Sequence, residues 1–84
     1  MKNKVCVDLI VPSIEQRYNL FLPVNKKCLE IVYLLNKSLN EMTSGSFPMR
    51  NDLTLIDADT GIAYDLSKTC LENGILNETK LILL

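Results

Sequence analysis

The chain has 84 residues, enough for one domain spanning 1–84 and too few for two independent cores. Nine basic and ten acidic side chains leave a net charge of −1, which gives no electrostatic footprint for nucleic acid or for an anionic membrane surface. No apolar run approaches the ~20 residues of a membrane span, and Met1-Lys2-Asn3-Lys4 leads into a segment bearing Asp8 rather than an apolar signal region; the expectation is a cytoplasmic protein with no direct membrane insertion.

Val5, Val7, Leu9 and Val11 alternate with Lys4, Cys6, Asp8 and Ile10, the period of a strand with one buried face. Pro12 ends it. Tyr18, Leu20 and Leu22 then alternate with Arg17, Asn19 and Phe21 as far as Pro23, predicting a hairpin whose loop is about five residues long. Asn25 predicts a helix N-cap, with Val24 and Leu29 spaced as a hydrophobic staple. Cys28, Ile31, Val32, Leu35, Leu39 and Met42 share one stripe at ~100° per residue, so an amphipathic helix is expected to about residue 41. It would lie on the sheet and return the chain parallel to its first strand. Residues 53–56 predict a third strand, 57–61 a turn and 62–64 a short returning strand. A brief helical turn closed at Gly74 and a final strand over 80–84 complete the chain.

The residues carry no catalytic constellation. Histidine is absent, so a serine or cysteine nucleophile lacks its usual base. Cys6, Cys28 and Cys70 are odd in number and far apart, which suits neither a disulfide framework nor a zinc site. Three dispersed glycines make no phosphate-cradling loop. Asp59-Thr60-Gly61 matches an aspartic-protease triplet, but Asp57-Ala58 precedes it where an apolar strand would be needed, and a hairpin turn is expected. An EF-hand starting at Asp57 fails at its twelfth position, Lys68. No enzyme activity, cofactor or metal is expected.

The succession of hairpin, helix, hairpin, short turn and terminal strand resembles the β-grasp of ubiquitin over the whole chain. Cys70 to Ile75 followed by Leu81-Ile82-Leu83 carries most of the likeness. Val7-Asp8-Leu9, Tyr18-Asn19-Leu20-Phe21-Leu22-Pro23 and the closing Lys80-Leu81-Ile82-Leu83-Leu84 look most like the small bacterial YukD/EsaB proteins, encoded with type VII secretion machinery. The resemblance implies an α+β fold with a mixed sheet of four or five strands on one main helix. It also implies a non-catalytic accessory or regulatory role through contacts with other proteins, such as the membrane ATPase or pseudokinase of that apparatus. The chain departs from ubiquitin in having no Gly-Gly tail, which disfavours conjugation. A general ubiquitin-like adaptor or a degenerate modifier is the alternative, and self-association stays open.

If Val5, Val7, Leu9, Tyr18, Leu20, Leu22, Leu81 and Leu83 face the helix, alternation turns Cys6, Ile10, Phe21, Ile82 and Leu84 outward, beside Thr54 or Ile56. Cys6, Ile10, Phe21, Ile56, Ile82 and Leu84 are therefore the candidate protein-interaction residues, and ubiquitin is similar in using this sheet face for binding. Tyr33, across the helix from its core stripe, and Lys26-Lys27 in its first turn are weaker candidates.

Overall fold

The computed structural model describes residues 3–84. Its elements are β1 (Lys4–Val11), β2 (Gln16–Pro23), α1 (Cys28–Met42), β3 (Leu55–Asp57) and β4 (Lys80–Leu83). The four strands form one sheet in the order β2-β1-β4-β3. β1 runs antiparallel to β2 and parallel to β4, and β3 runs antiparallel to β4. Helix α1 supplies the crossover that a parallel neighbour requires.

Alternation decides the hairpin register. Val7, Leu9, Val11 and Leu22 are buried inward, so Cys6 stands opposite Phe21, Asp8 opposite Asn19 and Ile10 opposite Arg17. The connection is a single 3-10 turn, Pro12–Ile14, closed by Glu15 in the left-handed region with its N–H donating to the Pro12 carbonyl at 3.1 Å. One face of α1 (Cys28, Ile31, Val32, Leu35, Leu39) meets the inward strand residues together with Leu55, Leu81 and Leu83.

Three expectations are corrected. The helix begins at Cys28 with Lys27 as its extended N-cap, two residues later than Asn25 predicts. The reason is tertiary: the loop over 66–69 supplies the acceptors a capping side chain would, with Cys28 N–H donating to the Lys68 carbonyl at 2.8 Å and Leu29 N–H to Leu66 at 2.9 Å. Leu29 therefore points into solvent, the Val24 staple does not form, and Lys26 and Lys27 precede the first helical turn. Met42, expected on the core stripe, is exposed because the chain leaves the helix at Thr43 and turns through Ser44 and Gly45, both at positive φ. The returning strand over 62–64 contracts to one bridge between Ile56 and Ala63, so the sheet has four strands; the third begins at Leu55 rather than residue 53.

Two local features lie outside the periodic pattern. Phe47 is buried, tied in by its carbonyl accepting from Asn40 Nδ2 at 3.0 Å and its N–H donating to Thr43 Oγ1 at 2.9 Å. Thr69 and Glu72 form a reciprocal capping box, with bonds of 3.0 and 3.1 Å. That turn closes when the Ile75 N–H reaches the Cys70 carbonyl and the Gly74 N–H the Leu71 carbonyl, with Gly74 at φ +74°. Asn73 joins the turn to its surroundings, donating to the Asp65 and Thr69 carbonyls and to Cys28 Sγ.

The three cysteines are free, and Cys28 and Cys70 are fully buried. The neighbouring Cys28 thiol and burial together hold the Cys70 thiol above its ordinary range. Cys28 itself is lowered by the neighbouring Cys70 and by the Asn73 amide, which donates to its sulfur at 3.4 Å.

Tyr64 makes a pH prediction. Burial, then the charge and hydrogen bond of Asp57, push its phenol up from 10.0 to about 12. A folded-state value above the unfolded one adds stability that is complete below pH 10.0 and lost as pH rises through about 12. In an alkaline titration followed at the tyrosinate absorbance, one of the three tyrosines should ionise last, and Tyr64→Phe should remove that late step. Three superimposed transitions in the wild type would disprove the assignment.

Candidate functional site

The sheet has one face under α1 and one open face. Along the open face, Ile10 of β1 pairs in register with Ile82 of β4, which pairs with Ile56 of β3. The three half-buried isoleucines therefore make one apolar row across three strands, and the bridge from Ile56 to Ala63 extends it. Leu84 lies two residues beyond Ile82 on the same side and is exposed, its backbone joined to Thr54 by a reciprocal pair of hydrogen bonds at 2.9 and 3.0 Å.

Cys6 and Phe21 lie at the other end of the hairpin, directly opposite each other on β1 and β2. Phe21 is 62% exposed on the edge strand, whereas Cys6 is half-buried. A polar band separates this pair from the isoleucine row: Asn19, Asp8 and Lys80 stand in register across β2, β1 and β4. Asp8 accepts from Asn19 Nδ2 at 2.6 Å and from Arg17 Nη2 at 3.2 Å. Lys80 makes no ion pair among the described residues. A hollow of about 320 Å³ opens on this band, lined by Cys6, Asp8, Asn19, Glu78 and Lys80.

All six sequence-predicted residues thus share the open face, divided into Ile10, Ile56, Ile82 and Leu84 on one side and Cys6 and Phe21 on the other. The dividing polar band was not among the candidates, although the same alternation that turns Cys6 outward turns Asp8 outward as well. A partner matching this face would press apolar groups on the isoleucine row and on Phe21 while meeting a carboxylate and an ammonium between them. Among the described residues no helix is long and apolar enough to cross a membrane, and no cluster of side chains could hold a metal ion. Tyr33 lies on the exposed side of α1, away from the open sheet face.

No family model matches the chain, and no curated protein matches it. Solved structures do. The ubiquitin-like domain of EccD5 from Mycobacterium xenopi superposes with a TM-score of 0.77 at 14% identity, covering 96% of this chain and 92% of that one. The ubiquitin-like domain of the Mycobacterium tuberculosis type VII secretion system protein EccD1 gives 0.65 at 13% identity, over 96% and 97%. The fold is the ubiquitin-like β-grasp.

A chain of the MycP5-free ESX-5 inner membrane complex contains the same β-grasp, with a TM-score of 0.79 at 16% identity, covering 98% of this chain but 21% of that longer one. At these identities the likeness establishes the fold alone. Within this β-grasp the open face is built by register: β4, inserted between β1 and β3, brings Ile82 between Ile10 and Ile56.

Proposed function

We propose that this protein is a non-catalytic, cytoplasmic accessory component of a bacterial type VII secretion system, of the YukD/EsaB kind its sequence resembles. It acts by presenting the open sheet face to another component of the apparatus, its membrane ATPase or pseudokinase. The observation that carries this reading is the superposition on the EccD5 ubiquitin-like domain at a TM-score of 0.77 with near-complete coverage of both chains. The face itself supports binding: an apolar row, an exposed aromatic on an edge strand and an intervening charged hollow form an amphipathic surface of the sort partners recognise.

Co-purification with the ATPase and with the pseudokinase tests the reading. One of the two should retain the wild-type chain. Phe21→Ser combined with Ile82→Thr should weaken that retention by about tenfold or more, because truncating central apolar anchors costs ~1–2 kcal/mol of binding each. Ile82→Thr keeps the β-branch the strand favours, so melting should shift by only a few degrees. Retention by neither component would overturn the proposal. Formation of a C-terminal adenylate with ATP and an activating enzyme would favour the modifier alternative instead.

A further inference from the structure

A second surface lies on the other side of the molecule, between α1 and the segment over 49–53. It is a groove of about 1150 Å³, floored by Val32 and Leu53 and edged by Leu29, Tyr33 and Met49. Leu29 and Tyr33 are each 59% exposed and Met49 is 50% exposed, so three large apolar side chains around one depression stand in water. Leu29 and Tyr33 are four residues apart and form a single ridge along the helix.

A buried polar residue ties the two walls of the groove together. Asn36 is 4% exposed, on a helix face otherwise turned to the core, and it clasps the far wall by donating to the Arg50 carbonyl and accepting from the Arg50 N–H. The rim charges are matched within each wall. Lys26 pairs with Glu30 at 3.7 Å, and Arg50 pairs with Asp52 through two bonds of 3.0 and 3.2 Å. The mouth is therefore neutral and offers no attraction to a polyanion or an acidic lipid surface.

Size selects the occupant. From Leu29 to Asn36 the helix rises about 10 Å, two turns, and a strip of that length falls far short of the ~800 Å² per partner that a stable dimer buries. An i,i+4 ridge beside a trough is the surface into which a second helix packs, and the flexible Met49 thioether adapts to its side chains. We infer that this groove is a docking site for a short amphipathic helix of another protein, one that is neutral at its centre and presents apolar residues at i, i+3 or i+4, and i+7. The site is distinct from the open sheet face and does not depend on the secretion reading. With both sites occupied, the protein would bridge two partners.

The probe is a displayed library of random 16-residue peptides selected against the full chain. Enriched peptides should carry apolar residues at helical spacing and shift the amide resonances of Leu29, Tyr33 and Met49. They should bind at least tenfold more weakly to Leu29→Ser and to Tyr33→Ser, both exposed substitutions that leave melting unchanged. Selection of no peptide, of peptides with strand-like alternation, or of peptides that shift the open sheet face instead would overturn the inference. So would sedimentation showing a dimer that Leu29→Ser dissociates, because the occupant would then be a second copy of this chain.

Discussion

Leu81→Ala is expected to remove about 3–5 kcal/mol of stability and to lower the melting temperature by roughly 15–30 °C. Leu81 is fully buried at the middle of β4, in register with the equally buried Leu9 on one side and with Asp57 on the other. Truncation there opens a cavity beneath α1 in a region held by sheet hydrogen bonds that cannot collapse to fill it. Against the roughly 5–15 kcal/mol that small domains possess, this is a large fraction. Leu84→Ala is the control: its side chain is 47% exposed, and the loss should stay below about 0.5 kcal/mol. Urea unfolding of the two variants measures the contrast, and equal losses would mean that β4 does not sit in the core as described.

Asn36→Ala should have the second largest effect, about 1–3 kcal/mol, by a different mechanism. The wild-type amide satisfies both the carbonyl and the N–H of Arg50 from inside the helix face, and its removal leaves those groups without partners beside a small void. Hydrogen exchange should speed up over 48–53 by more than the change in global stability accounts for, while β1 and β2 stay protected. Asn36→Leu restores the volume but not the bonds, so it should recover only part of the loss. A uniform increase in exchange throughout the chain would show that Asn36 serves general packing rather than holding this segment.

Much of the architecture is legible in residue order because its strands are two-faced. Val5 to Val11 and Tyr18 to Leu22 announce their period directly, and the helical stripe from Cys28 to Leu39 does the same at 3.6 residues per turn. The helix start is not legible in the same way, because Asn25 is a good local cap whereas the orphan N–H groups at the true start are met by carbonyls some forty residues away. No local rule registers such partners. Met42 fits the stripe, yet the helix ends at that residue and leaves it in solvent. Asn36 is illegible for the opposite reason: a polar residue on an apolar stripe reads as an interruption, and its partner lies fourteen positions on. The outward candidates on the sheet followed from alternation, but their division by Asp8, Asn19 and Lys80 depends on cross-strand register.

The strand order also has a temporal cost. Asp8 and Lys80, partners at the centre of the sheet, are separated by nearly the whole chain, so their pairing is about as non-local as this molecule allows. On the ribosome the hairpin emerges early and then waits while the intervening residues are synthesised, roughly 3–11 s at ~5–20 residues per second. Through that interval the inner edge of β1 is an open template, vulnerable to a strand from any neighbouring nascent chain. Only when the last strand pairs beside it is that edge of β1 closed.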